Sequence, residues 1–506
     1  MIERARINGY NFPDPQRGSL FEQIIHERME RTLRVVLLVV FSAMIYIACI
    51  SNAIAQSPEL RYQLGRRLTR FESEWQSADP ASRVRSTPKM LSAVSSFFSL
   101  RLDEAIVKLD EAWLAVQSDT ADVSAERISD AGWFVSVRPL LLDREARSVS
   151  LSLLHQPLSA ALPTSSTSFD LSVAILDTHG QQICERRWTS VANADQWNWE
   201  LDTLPQGDYQ VKAFLHRESE KTEVIANRFS VITDLEKKIE EVHRQASTRP
   251  AMGDTKSVTV QLIAKMIQGG GKGRIAESDL PFEALLSDLE YLAVENNTVR
   301  ELIASRPERS IWLQLGNGKS KQHIRLQTAE KPAGAPLVVA YHGAGGSENM
   351  FFESYGAGAL IEQCRKNGWS VVSPRQSLTG LGMDLDLMLD ELHSHLDFDT
   401  ERVFLIGHSM GAAQAISQVS KYPSRVRGVA AIGGGGRPTK SDELTKIPFF
   451  VAAGEKDFGL PQAKLLSKTL QSFGVNVDFR EVKDVEHMVI VQATLDDAMA
   501  FFQKLD

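Results

Sequence analysis

The chain has 506 residues, of which 43% are hydrophobic and 24% are charged. This length exceeds what a single hydrophobic core usually holds, so we expect several domains. The formal net charge of -8 leaves no basic footprint for DNA or RNA, which argues against a nucleic acid partner. The three cysteines fall in different predicted segments, and no Cys/His cluster has metal-ligand spacing. We therefore predict neither a disulfide framework nor a metal site.

Residues 1–55 are predicted to be an amino-terminal extension that ends in an export signal. Two arginines precede an apolar run over 35–50, and an Ala-Ile-Ala sequence ends at Ala55. This order is typical of a secretory signal cleaved after Ala55, with Met29 as an alternative start. An uncleaved membrane anchor through 35–50 and a lipid on Cys49 remain open. The protein is therefore expected outside the cytoplasm, in the periplasm or the extracellular space, free or membrane-anchored.

Three segments are predicted between this signal and the carboxy-terminal region. Residues 56–127 carry two amphipathic helical patterns, separated by a proline-containing stretch over 78–89 that predicts a loop. Residues 128–235 show strand periodicity with regular turn signals, which predicts a small antiparallel β-sandwich that resembles immunoglobulin-like or fibronectin-like modules. Residues 236–305 predict a helical connector, which the glycine run at 269–271 is expected to interrupt as a flexible hinge.

Residues 306–506 alternate between strand and helix patterns, which predicts a mostly parallel sheet with helices on both faces. A hairpin over 311–315 and 323–326 is expected at the sheet edge. Short apolar runs, typical of strands buried on both faces, predict the interior strands. These runs lie at 337–341, 369–373, 403–406, 429–432, 449–453 and 475–482. The predicted fold class is thus a multidomain protein that ends in an α/β domain.

One motif in this region predicts a nucleophile. The apolar run 403–406 leads into Gly-His-Ser-Met-Gly over 407–411, and small residues at helical spacing follow. G-x-S-x-G between a strand and a helix places Ser409 on a strained turn, where side chains at the flanking glycines would collide with neighbouring backbone. The helix that begins at Met410 also directs free N–H groups toward Ser409. We therefore predict that Ser409 is a catalytic nucleophile.

The glycine-rich loop over 342–347 predicts backbone groups that stabilise the negative charge formed when this nucleophile attacks. Acyl transfer passes through a tetrahedral oxyanion that needs two convergent backbone N–H donors. We expect them from Met410 and from Ala344, with Gly345 as the alternative to Ala344, because this loop directly follows the strand 337–341. Further residues near the same crevice are predicted to shape substrate binding: His342, Gly343, Gly345, His408 and Arg437.

A serine also needs a base that takes its proton and an acid that orients the base. His487 is the only histidine after Ser409, and Asp457 lies just beyond a predicted strand. A loop that leaves the carboxyl end of a strand would direct Asp457 toward the same crevice. We predict the set Ser409, Asp457 and His487, with Glu455 or Asp484 as alternatives for the acid.

Together these motifs resemble the α/β-hydrolase superfamily. They lie at 342–346, 407–411, 454–457 and His487, so the resemblance covers the chain from about residue 310 onward. Within the superfamily the region is similar to secreted esterases of the feruloyl esterase and polyhydroxybutyrate depolymerase types and to prolyl-oligopeptidase-type hydrolases. The segment between Ser409 and Asp457 is too short for a large inserted cap, so only residues 433–446 are expected to form a partial lid.

The resemblance implies an exported hydrolase that cleaves carboxylic esters through an acyl-enzyme on Ser409. Its expected partner is a small-molecule or polymer-derived ester, and no metal or organic cofactor is implied. Two alternatives remain open. One is a serine peptidase of the prolyl-oligopeptidase type, and the other is a non-catalytic envelope protein whose amino-terminal segments bind a partner. The oligomeric state is not predicted.

Overall fold

The computed structural model describes residues 58–506, apart from 119–122, 156–168, 193–194, 203, 218–219, 249–252, 274–277, 308, 317–319 and 377–382. The predicted export segment and the alternative start at Met29 lie outside the described residues. No helix of the described part is both long and apolar enough to cross a membrane. Residues Pro58–Asp506 form one compact unit.

Four helices open the described chain: α1 (Pro58–Ser77), α2 (Pro80–Phe98), α3 (Leu102–Gln117) and α4 (Ala125–Ala131). The predicted loop over 78–89 is wrong, because α2 occupies most of it. Asp79 caps this helix by accepting hydrogen bonds from two backbone amides of its first turn, and Pro80 sits where no N–H is required. Pro88 lies inside the helix, so packing of the helix outweighs the hydrogen bond that this proline removes.

Nine strands follow among the described residues: β1 (Trp133–Arg138), β2 (Leu141–Asp143), β3 (Ser148–His155), β4 (Phe169–Leu176), β5 (Gln182–Val191), β6 (Gln196–Glu200), β7 (Gly207–Arg217), β8 (Glu220–Ala226) and β9 (Phe229–Ile232). Most neighbours pair antiparallel, but β1 pairs parallel with β8 and β2 with β9. The strands enclose their own hydrophobic cluster, which includes Trp133, Leu151 and Trp199. The likeness to immunoglobulin-like sandwiches stays a prediction.

The connector contains α5 (Leu235–Thr248), α6 (Thr255–Gly271), α7 (Phe282–Ala293) and α8 (Val299–Ala304). The predicted hinge at 269–271 is wrong, because α6 continues through these glycines. A Cβ atom on Gly270 would lie 2.3 Å from the ring of Phe282 and 2.8 Å from Leu141. The glycine therefore permits close packing between elements, and this packing outweighs its low helix propensity.

The carboxy-terminal sheet has eight described strands: β10 (Ile311–Leu315), β11 (Gln322–Gln327), β12 (Ala335–Tyr341), β13 (Ser370–Pro374), β14 (Phe398–His408), β15 (Gly428–Ile432), β16 (Phe449–Gly454) and β17 (Val477–Val482). Their order is β10-β11-β13-β12-β14-β15-β16-β17. The antiparallel β10/β11 hairpin lies at one edge, and β11 pairs antiparallel with β13. The six strands β13, β12, β14, β15, β16 and β17 run parallel to one another. The predicted mostly parallel sheet is confirmed.

Helices cover both faces of this sheet: α9 (Met350–Glu353), α10 (Tyr355–Asn367), α11 (Leu385–His393), α12 (Met410–Lys421), α13 (Leu460–Phe473) and α14 (Ile490–Gln503). Alternate residues of β12 separate the two faces. Leu337 and Val339 belong to a cluster with α11 and α12. Val338 and Ala340 belong to a second cluster that contains α10, α14 and the amino-terminal helices α1 to α3. The amino-terminal helices therefore share a core with the carboxy-terminal sheet.

Candidate active site

Ser409 stands on a strained turn between β14 and α12. Its backbone has φ 55° and ψ -114°, a conformation that costs on the order of 1–3 kcal/mol for a residue with a side chain. The two flanking glycines allow this turn. A Cβ on Gly411 would lie 1.9 Å from the Tyr341 carbonyl oxygen, and one on Gly407 would lie 2.2 Å from the Gly411 carbonyl oxygen. The motif thus needs glycine at both positions because any side chain there would collide with neighbouring backbone, as the sequence predicted.

The structure brings the three residues of the predicted set together. The Ser409 hydroxyl oxygen lies 3.0 Å from Nε2 of His487, and Nδ1 of His487 lies 2.7 Å from Oδ1 of Asp457. The backbone N–H of Gly459 donates to the same Oδ1 at 2.6 Å. Asp457 and His487 are 4% and 1% exposed, so water does not screen this pair. Serine, imidazole and carboxylate therefore form one continuous hydrogen-bonded chain.

Neither alternative acid contacts His487. The Glu455 carboxylate accepts from the backbone N–H of Asp484 at 3.2 Å, and Asp484 lies beside Lys483. This backbone hydrogen bond, followed by the charge of Lys456, lowers the pKa of Glu455. Of the three acidic residues that the sequence left open, Asp457 alone has its carboxylate on the imidazole.

The glycine-rich loop and the start of α12 present backbone N–H groups beside Ser409. The N–H of Gly343 is occupied, because it donates to the Tyr355 hydroxyl oxygen at 3.1 Å. Within the described part of the chain, the N–H groups of Ala344 and Met410 donate to no acceptor. These two amides therefore remain available to a ligand, which is what the predicted oxyanion donors require. Their assignment stays a prediction, as does the alternative at Gly345.

His408 links this loop to the backbone of His487. Tyr355 donates its hydroxyl proton to Nδ1 of His408 at 2.8 Å, because the other ring nitrogen of the neutral His408 carries the proton that it donates to a carbonyl oxygen. Nε2 of His408 then donates to the His487 carbonyl oxygen at 2.8 Å. Burial lowers the pKa of His408 well below its ordinary value, and burial raises the pKa of Tyr355. Both side chains are therefore uncharged in the geometry that they hold.

The remaining predicted residues fall into two groups. His342 lies under the loop, where Nδ1 donates to the Gly343 carbonyl oxygen at 2.8 Å and Nε2 accepts from the Gln376 N–H at 2.9 Å. Gly343 and Gly345 line the cavity beside Ser409. Arg437 is exposed and is not among the described residues that line this cavity.

Sequence reasoning did not identify three aromatic residues at the site. Tyr355 holds the hydrogen-bonded chain described above, whereas Phe458 lies over the His487 ring at a tilt of 33° and Phe98 meets that ring in an edge arrangement at 66°. The Phe458 ring centroid lies 3.9 Å from that of His487, and the Phe98 centroid lies 6.1 Å from it. Phe458 could be found from its position next to Asp457. Nothing local to Phe98 or Tyr355 signals the site, since each reaches it only through tertiary packing.

A cavity of about 160 Å³ opens beside Ser409. One wall consists of the glycine-rich loop together with His408, Ser409 and His487. The opposite wall comes from α1, α2 and α3, which contribute mainly apolar side chains. The site is therefore covered by the amino-terminal helices, rather than by residues 433–446 as the sequence suggested.

An eight-stranded, mostly parallel sheet with helices on both faces and a serine on a strand-to-helix turn defines the α/β-hydrolase fold of the serine hydrolases. The carboxy-terminal region of this chain has the α/β-hydrolase fold, as the resemblance of its motifs implied. Residues 384–506 match the family model described as phospholipase/carboxylesterase. This match includes the segment that carries Ser409, Asp457 and His487.

Among curated proteins, protein phosphatase methylesterase 1 of Candida albicans is 26% identical over 168 residues, which are 31% of this chain and 46% of that protein. The match thus spans less than half of the relative's length. Similar solved structures include a ferulic acid esterase at 14% identity and TM-score 0.33, covering 39% of this chain and 98% of that one. An S-formylglutathione hydrolase from Agrobacterium tumefaciens has 17% identity and TM-score 0.32, covering 39% and 94%.

Proposed function

We propose that the protein is an exported hydrolase that cleaves carboxylic esters through an acyl-enzyme on Ser409. The observation that carries this proposal is the hydrogen-bonded chain from the Ser409 hydroxyl through His487 to the buried Asp457 carboxylate. A serine hydroxyl is a weak nucleophile until a base takes its proton, and this chain provides the base and its orienting acid.

In the first half of the reaction, the Ser409 oxygen attacks the ester carbonyl carbon while Nε2 of His487 takes its proton. The Asp457 carboxylate stabilises the imidazolium that forms. The resulting oxyanion accepts hydrogen bonds from the N–H groups of Ala344 and Met410. His487 then gives its proton to the leaving alkoxide, so the alcohol departs and the acyl group stays on Ser409.

In the second half, His487 takes a proton from water, whose oxygen attacks the acyl carbonyl carbon. The tetrahedral intermediate again uses the Ala344 and Met410 amides. Its collapse returns the proton to the Ser409 oxygen and releases the carboxylic acid. These reaction steps need only side chains and backbone amides of the protein, together with water.

Two measurements test the catalytic role of Ser409. The wild-type protein is expected to be labelled by a fluorophosphonate probe and to hydrolyse p-nitrophenyl acetate, whereas Ser409→Ala should lose both properties and keep its fold. Ser472→Ala is a matched control, because Ser472 lies on the exposed surface of α13 with its hydroxyl bonded to Thr469. A wild-type protein that is not labelled by the probe and has no esterase activity would refute the proposal. Faster turnover of p-nitroanilide peptides than of esters would instead favour a peptidase.

Asp457→Asn tests the acid. The substitution removes the charge that stabilises the imidazolium and allows the wrong tautomer of His487, so kcat should fall by about 10³–10⁴. Glu455→Gln changes an exposed acid in the same loop and should leave kcat within about twofold. Equal effects of the two substitutions would contradict the role assigned to Asp457.

Export is a separate element of the proposal and depends on residues 1–55. Amino-terminal sequencing of the protein recovered from its native host tests it. A mature chain that begins at Gln56 is the expected result, and an intact amino terminus in the cytoplasmic fraction would refute it.

A further inference from the structure

We infer that helices α1, α2 and α3 form the acyl-binding pocket of this enzyme, and that its substrates are esters of extended, uncharged, apolar acids. The inference rests on the proposed function, because it assumes an acyl group on Ser409. It goes further by naming the substrate class and by giving the amino-terminal helices a direct role in binding.

The first argument is the chemistry of the cavity wall. The amino-terminal helices contribute a set of apolar side chains to it: Leu64, Leu68, Met90, Ala93, Val94 and Leu109. These residues belong to the hydrophobic cluster that the helices share with the carboxy-terminal sheet, or pack against it. A hydrocarbon chain placed among them would leave water, which contributes up to about fourfold in kcat/KM for each methylene buried.

The second argument is that the charged residues of the wall already have partners. The Arg61 guanidinium donates to the Gly345 carbonyl oxygen at 2.8 Å, and Arg66 pairs with Asp279 at 3.4 Å. Glu353 pairs with Arg325 at 2.7 Å. A carboxylic acid substrate with a second charged group would have to bring that group out of water and among the apolar side chains of the pocket, which is costly. The wall selects an uncharged chain.

The third argument concerns which part of the ester enters the pocket. The alcohol must leave beside Nε2 of His487, which protonates it. On that side the Phe98 and Phe458 rings are 42% and 54% exposed, so the leaving group faces solvent. The Phe97 ring instead packs on the glycine-rich loop, where a Cβ on Gly345 would lie 2.8 Å from the ring. The enclosed end of the cavity thus adjoins the site of the acyl carbonyl.

A chain-length series with the full protein tests this assignment. With p-nitrophenyl acetate, butyrate and octanoate, kcat/KM should rise along the series, whereas p-nitrophenyl monosuccinate should be a poor substrate for its length. An alkyl acetate series, which varies only the alcohol, should show a flat profile. A preference for acetate, or a rise in the alkyl acetate series instead, would overturn the inference.

Two alanines on α3 provide a matched pair of variants. Ala105 lines the cavity and is 1% exposed, whereas Ala112 is 0% exposed and is not among the described residues that line it. Leucine at either position overpacks the same helix. Ala105→Leu should lower the octanoate-to-acetate ratio of kcat/KM by about tenfold or more. Ala112→Leu should leave this ratio unchanged.

Labelling by the fluorophosphonate probe separates the two proposals. If the wild-type protein and Ala105→Leu are labelled and the ratio is the same in both, the pocket assignment fails while the ester hydrolase stands. If the wild-type protein is neither labelled nor active, the proposed function itself fails. Should Ala105→Leu not fold, Leu109→Ala serves instead, because it widens the pocket and should shift the preferred acyl group toward longer chains. An unchanged preference in Leu109→Ala would also refute the assignment.

Discussion

Removal of the Tyr355 hydroxyl group tests whether the series of hydrogen bonds from Gly343 through Tyr355 and His408 to the His487 carbonyl keeps the active-site residues in position. Tyr355→Phe keeps the ring but deletes the acceptor of the Gly343 N–H and the donor to Nδ1 of His408. Tyr355 and His408 are 1% and 2% exposed, so water does not replace the hydroxyl. Each buried group left without a partner costs about 1–3 kcal/mol, which predicts a loss of about 2–6 kcal/mol in the free energy of unfolding.

The same substitution should lower kcat by about tenfold to a hundredfold with little change in KM, because the glycine-rich loop and the His487 backbone lose their common support. Urea unfolding and steady-state kinetics measure the two effects. Tyr209→Phe is the control, since its hydroxyl makes one bond to the Pro205 carbonyl far from the site, and should cost about 0.5–1.5 kcal/mol without changing kcat. Equal stability loss in both variants, with kcat intact in Tyr355→Phe, would refute the reasoning.

Two further predictions concern buried carboxyl groups. Burial raises the pKa of Glu486 to about 7, so between about pH 4.3 and 7 the folded state holds a proton that the unfolded state releases, and stability should fall as pH rises through this window. Glu486→Gln should remove about 3 kcal/mol of this fall in the free energy of unfolding across the window, measured by urea unfolding at several pH values, and an unchanged pH dependence would contradict the prediction. Asp110 bonds the buried Arg67 at 2.9 Å and Arg70 at 2.6 Å, so Asp110→Ala should cost about 3–5 kcal/mol. The exposed pair of Asp170 and Arg187 supplies the control, because Asp170→Ala should cost less than about 1 kcal/mol in the same unfolding assay.

The position of the amino-terminal helices changes how the cover of the active site is understood. The sequence between Ser409 and Asp457 has no room for a large cap, so residues 433–446 were expected to form only a partial lid. In the structure the cover comes from residues about 300 positions earlier in the chain. Arg61 reaches the carbonyl of Gly345, which is 284 residues away, and Thr87 donates to the carbonyl of Asp484, which is 397 residues away. Neither contact leaves a local sequence pattern.

The errors in the helical segments have a common cause. Pro88 and the glycines at 269–271 favour loops when only their neighbours in sequence are considered. Both lie inside helices because packing against distant elements stabilises the helix more than the local residue destabilises it. Gly270 shows this directly, since its missing side chain admits the Phe282 ring.

The sequence by itself determined the elements whose chemistry is local. The Gly-x-Ser-x-Gly turn, the glycine-rich loop and the alternation of strands and helices each depend on steric limits within about ten residues, so the strained turn at Ser409 and the fold of the carboxy-terminal region could be predicted. The sequence narrowed the acid to Asp457, Glu455 and Asp484. Only the tertiary structure decided which carboxylate lies on His487, brought Tyr355 to His408 and placed α1 to α3 over Ser409. These features depend on contacts between residues far apart in the chain, and such contacts are set by packing of the whole core.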